Sequence, residues 1–222
     1  MGKPYERNIN VLSYPTYFGN ILCYDNFEDL LKWEKTGTGA DYICEKFNTL
    51  AYNGSYSLRL KTRATNPAAN DYVQAKRQLT IRASKQLLIS LNVNAYQPDG
   101  LKYIEVLYSF SDQLLLYEVN LRYSAADGLL YISTPDGSAE VISTSALSFA
   151  SGAWANITLI FNLATAKWKT IYFASSKFDV SAYSIRTSEF TDNMLNELTI
   201  KLTALDNNKP EILVDDFLCM EI

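Results

Sequence analysis

Eight side chains in the middle of the chain are of the types that hold sugars: Asn92, Asn94, Tyr96, Tyr103, Glu105, Glu118, Asn120 and Arg122. A sugar ring offers apolar C–H faces, which aromatic rings cover, and rims of hydroxyls, which planar amides, carboxylates and guanidinium groups satisfy. The two tyrosines provide the first of these and the other six residues provide the second. Glu105 and Glu118 also raise the question of hydrolysis. A retaining glycosidase holds two carboxyls about 5 to 5.5 Å apart, but no alternating run of carboxylates along one strand accompanies this pair. The chain has no histidine, which removes the commonest general base and metal ligand and every Ser-His or Cys-His arrangement. The expectation is a protein that is not an enzyme.

Three segments must position these side chains: residues 85–96 (KQLLISLNVNAY), 101–110 (LKYIEVLYSF) and 114–123 (LLLYEVNLRY). Each alternates apolar and polar residues, the period of a half-buried strand. Gln97-Pro98-Asp99-Gly100 and Ser111-Asp112-Gln113 join them, so the pattern predicts an antiparallel meander. Its core face would carry Leu87, Ile89, Leu91 and Val93, then Ile104, Val106, Tyr108 and Phe110, then Leu115, Tyr117, Val119 and Leu121. Its other face would then bring all eight candidate residues together.

The remainder of the chain extends the pattern. Strands are expected at 21–27, 41–47, 56–62, 72–82, 129–133, 139–144, 154–163, 168–174, 198–205 and 211–222, with a helical turn at 189–194. The last of these strands (EILVDDFLCMEI) is apolar on both sides and needs neighbours over both faces. About a dozen strands separated by Gly, Pro, Asn and Asp turns, without an extended helical period, predict an all-β protein. Two antiparallel sheets would pack face to face in a jelly-roll sandwich spanning residues 21–222. Residues 1–20, with Tyr5, Tyr14, Tyr17 and Phe18, read as an extended N-terminal arm that packs on its own domain or on a neighbouring subunit.

Composition narrows the partners. A net charge of -4, with its basic residues dispersed along 222 residues, offers no stripe for nucleic acid or a membrane surface. The N-terminus lacks an apolar signal region, and no stretch is long and apolar enough to span a bilayer. Cys23, Cys44 and Cys219 sit in strand-like contexts and read as buried thiols, with Cys23 and Cys219 neighbours if the first and last strands pair.

Three motifs carry a resemblance: Tyr24-Asp25-Asn26-Phe27-Glu28, Ala51-Tyr52-Asn53-Gly54-Ser55-Tyr56-Ser57-Leu58-Arg59-Leu60 and Ile212-Leu213-Val214-Asp215-Asp216-Phe217. Together they resemble jelly-roll carbohydrate-binding modules. The hairpin around Trp154-Ala155-Asn156-Ile157-Thr158-Leu159 and Trp168-Lys169-Thr170-Ile171-Tyr172 is similar to that of concanavalin-like and laminin G-like sandwiches. The resemblance implies a structural calcium held by Asp25, Glu28 and Asp215 or Asp216, hard oxygen ligands of the kind Ca²⁺ takes.

A sandwich of this kind with an aromatic arm and no export signal is expected to be a structural or assembly protein of a virus particle. A capsid decoration or tail component of a bacteriophage, made in the host cytoplasm, fits that description. Its partners would be copies of itself or other virion subunits engaged through the arm. The alternative is a free-standing carbohydrate-binding module that recognises a polysaccharide or cell-surface glycan.

Overall fold

The computed structural model describes residues 19–29, 31–79, 86–112, 114–149, 151–189 and 195–222. The expected arm, apart from Gly19 and Asn20, lies outside the described residues, as does most of the expected helical turn at 189–194.

The described residues form two antiparallel eight-stranded sheets. With strands numbered in chain order, the first sheet runs β13 (Ser176–Asp179), β12 (Lys167–Phe173), β11 (Trp154–Asn162), β6 (Gln86–Gln97), β16 (Glu211–Glu221), β4 (Ser57–Lys61), β3 (Ile43–Phe47). β1 (Asn20–Asp25) also pairs with β16. The second sheet runs β10 (Ala139–Val141), β9 (Leu129–Ser133), β8 (Leu115–Ser124), β7 (Leu101–Ser111), β15 (Asn196–Ala204), β5 (Tyr72–Gln78), β2 (Glu34–Gly37). β14 (Arg186–Glu189) pairs with β8.

The fold is an all-β sandwich, and the alternating residues fill the space between its sheets. Leu87, Ile89, Leu91 and Val93 of β6, with Ile104, Val106, Tyr108 and Phe110 of β7 and Val119 and Leu121 of β8, belong to one continuous core. Burying each such side chain contributes on the order of 2 kcal/mol. Tyr117 packs at the margin of this core and Leu115 is half-buried. β16 lies inside the first sheet and is buried on both faces, as its apolar composition requires.

The meander is corrected. β6 pairs with β11 and β16 in the first sheet, whereas β7 pairs with β8 and β15 in the second. The turn after β6 is tight, with Leu101 N–H donating to Pro98 O at 2.8 Å and Gly100 at φ +75°. It carries the chain from one layer to the other. Strands on the two layers of a sandwich both point their apolar residues inward, so their polar residues face opposite sides of the molecule.

Candidate functional site

The layer change divides the eight candidate residues. Asn92, Asn94 and Tyr96 belong to β6, while Tyr103, Glu105, Glu118, Asn120 and Arg122 belong to β7 and β8 on the other sheet.

The three on β6 are largely committed to neighbours. Asn94 is fully buried and its Nδ2 donates to Gly152 O at 2.7 Å. Asn92 Oδ1 accepts from Asn156 Nδ2 at 3.2 Å, and Asn156 also bonds Ser90 and Thr158, which bond each other. These amides and hydroxyls satisfy one another within the sheet. Tyr96 packs edge-on against Phe47, at the end of the sandwich.

The five on β7 and β8 do converge. Register aligns Tyr131 of β9, Arg122 of β8, Glu105 of β7, Lys201 of β15 and Gln74 of β5 across the outer face of the second sheet. Glu105, only 7% exposed, is the centre of this row. Arg122 donates from Nε to its Oε1 at 3.0 Å, and Lys201 Nζ lies 3.3 Å from Oε2. An almost buried carboxylate needs such cations, because desolvation alone would make its charge costly. Tyrosine rings flank the row. The Arg122 guanidinium carbon sits 4.8 Å and Lys102 Nζ 5.1 Å from the centre of Tyr103, and Lys201 Nζ sits 5.2 Å from that of Tyr72.

Tyr131 donates its hydroxyl to Asp127 Oδ2 at 2.6 Å. That bond pushes the phenol up and holds the Asp127 carboxyl below the usual range.

At the β8 side of this face a cleft of about 220 Å³ opens between β8, the β9–β10 hairpin and Arg186 of β14. Asn120, Arg122 and Tyr131 line it, with Ser133 and Ser138 from the hairpin. The hairpin turn is fixed by Asp136, which accepts from Thr134 Oγ1 at 2.6 Å and from Ser138 N at 3.0 Å. Those donors hold its carboxyl down to about 2. Glu118 pairs with Arg186 NH1 at 3.0 Å.

Lys201, Tyr72, Tyr131 and Arg186 were not anticipated from the sequence. Alternation in 198–205 already set Lys201 outward, but nothing local says that β15 lies between β5 and β7. Arg186 falls in a short edge strand without a clear period.

The expected calcium ligands do other work. Asp25 accepts from Phe27 N at 2.9 Å and Trp33 Nε1 at 3.0 Å and pairs with Arg77. Glu28 Oε1 accepts from the backbone of Ser55 and Tyr56 at 2.6 and 2.9 Å. Asp215 accepts from the backbone of Tyr52, Asn53 and Asp216 at 2.8, 3.0 and 2.7 Å. Asp216 accepts from the Tyr24 hydroxyl at 2.8 Å. Each of these carboxylates thus already accepts from N–H or O–H donors. Among the described residues no three His, Cys, Asp or Glu side chains are grouped to hold a metal. As arranged, these four carboxylates do not fit a calcium ion.

No family model matches the sequence, and no curated protein matches it. Solved structures match its fold. The alginate lyase vAL-1 from Chlorella virus is 8% identical over 86% of this chain and 93% of its own, with a TM-score of 0.51. The binding domain of botulinum neurotoxin DC, in complex with SialylT, is 12% identical over 91% of this chain and 48% of its own, with a TM-score of 0.50. A carbohydrate-binding module of the β-sandwich superfamily is 14% identical over 91% of this chain and 63% of its own, with a TM-score of 0.44. The chain thus spans less than two thirds of the last two. At such identities the likeness is one of fold alone. It also corrects the expectation that the protein is not an enzyme, since the alginate lyase is an enzyme built on a similar fold. None of these three structures is a capsid or tail subunit.

Proposed function

We propose that this protein binds carbohydrate through the outer face of its second sheet, as in the alternative drawn from the sequence. One observation carries this: Glu105 is held between Arg122 and Lys201, with the rings of Tyr72 and Tyr103 beside those cations, on a single sheet face. The ion pairs fix the polar groups in place, and the rings, with the cations lying over them, add apolar surface beside those groups. This is the combination a sugar needs, pre-organised so that little side-chain freedom is lost on binding. Glycans also figure in the names of similar structures, an alginate lyase and a toxin domain bound to SialylT, which supports the same choice. A virus-particle role has no comparable support in the site.

Affinity electrophoresis in gels containing neutral or acidic polysaccharides tests the proposal. The wild-type chain is expected to be retarded by at least one of them. Tyr103→Ala is expected to lose most of that retardation, by roughly tenfold in affinity, as removal of one stacking ring costs about 1–3 kcal/mol in comparable aromatic contacts. Equal mobility of both proteins in every gel would refute it.

A further inference from the structure

The cleft beside the binding face has a chemistry narrower than that of sugars in general. Two guanidinium groups border it, and each uses only part of its fork on a carboxylate. Arg122 directs Nε and NH2 to Glu105, leaving NH1. Arg186 directs NH1 to Glu118. The face of its guanidinium lies against Gly137, with the central carbon, Nε and NH2 3.5, 3.5 and 3.6 Å from where a β-carbon on that glycine would stand. Gly137 and Arg186 both line the cleft, and a side chain at 137 would cover the guanidinium face there. Between the two arginines, Asn120 Oδ1 is buried without a hydrogen-bond partner among the described residues. A buried acceptor in that state needs a donor.

We infer that this cleft takes one carboxylate-bearing sugar residue, a uronate or similar acidic sugar, of the glycan bound by the second sheet. The inference rests on the carbohydrate reading above and adds the ligand class. Planar forks match a carboxylate, which accepts two parallel N–H bonds. Asn120 Oδ1 asks for a hydroxyl donor, which a fully ionised sulfate or phosphate lacks and a sugar acid carries on the same ring. Tyr131, beside Arg122 on the cleft wall, supplies the apolar surface for that ring.

The test is isothermal titration of the full chain, at fixed ionic strength, with oligomers of polygalacturonate, alginate and hyaluronan. Each is compared with the same oligomer after its carboxyls are reduced to alcohols, and xylan oligomers serve as the neutral control. Binding of at least one acidic oligomer is expected, weakened about tenfold or more by carboxyl reduction, the size of one lost charge-assisted hydrogen-bond pair. Arg186→Gln is expected to weaken the acidic ligand by about the same factor, with little effect on its reduced form. Arg122→Lys, which keeps a cation beside Glu105 but loses the planar fork, is expected to weaken the acidic ligand as well. Lys169→Gln, an exposed charge on β12 of the other sheet, is expected to change nothing. Equal binding of an oligomer and its reduced form, or binding of xylan alone, would overturn the ligand class and leave carbohydrate binding intact. An equal loss in Lys169→Gln would show mere long-range charge attraction and also overturn it. Failure of every oligomer to bind would remove both this inference and the proposal beneath it.

Discussion

Asp215 and Glu105 are both nearly buried carboxylates, yet their surroundings give them opposite roles. Glu105 faces two cations on an open sheet face, where it orients Arg122 and Lys201. Asp215 is fully buried on the other sheet and receives three backbone N–H groups in place of a cation. Burial pushes its carboxyl from 3.8 up to about 7, with the neighbouring Asp216 charge pushing the same way against those N–H donors. Because the folded state holds this proton more tightly than the unfolded chain, the group's contribution to stability is fully present below pH 3.8. It is lost as pH rises through about 7. Asp215→Asn cannot titrate, so urea unfolding of the two proteins between pH 4 and 8 isolates the effect from that of other carboxyls. The wild type is expected to lose stability relative to the variant over that range, on the order of 4 kcal/mol. A difference that does not vary with pH would mean that the N–H donors keep Asp215 ionised throughout. The sequence showed that Asp215 sits in a motif at the chain's end, but its partners in the 51–56 turn are about 160 residues away, beyond any local pattern.

At the scale of elements, that turn shows backbone N–H groups bonding carboxylates that were expected to hold a metal. Glu28 ties down its end at Ser55 and Tyr56 and Asp215 its start at Tyr52 and Asn53, joining the stretch before β4 to β16. Gly54 stands between these anchors at φ +77°, and an added β-carbon would lie 2.3 Å from Glu28 Oε1. Gly54→Ala therefore meets both the strain of left-handed backbone and displacement of the carboxylate that holds the turn. Gly152, at φ +75° with nothing within 4 Å, meets only the first. Denaturant melts are expected to show a loss of about 1 kcal/mol for Gly152→Ala and about 2–3 kcal/mol for Gly54→Ala. Equal losses would show that Glu28 moves aside freely. With the oxygens already taken by N–H donors, added calcium and a chelator are both expected to leave the melting temperature unchanged. A rise with calcium would show that the turn rearranges to admit the ion, since a ligand held only by the native state must stabilise it.

For the molecule as a whole, alternation revealed which residues point inward but not which layer each strand joins. Leu87 to Val93 and Ile104 to Phe110 are core residues under a meander or a layer change alike. The Gln97–Gly100 turn looks the same in either case, so the polar face divided where no sequence signal marks a boundary. The thiols report on how the layers close. β1 and β16 pair antiparallel with Cys23 opposite Cys219, so the first and last strands described lie side by side against the core. Burial pushes the Cys44 thiol up to about 11 and that of Cys219 up to about 12, and it also raises half-buried Cys23. Since the thiolate is the reactive form, Cys44 and Cys219 are expected to resist a thiol-specific disulfide reagent at pH 7.5 while the protein is folded. In increasing urea their labelling rates are expected to rise together with loss of the folded tryptophan signal, because exposing either thiol requires the sandwich to open. If Cys219 reacted quickly without denaturant while Cys44 stayed protected, the β1 edge would be opening on its own. The two chain ends would then form a separate unit of lower stability than the sheets they complete.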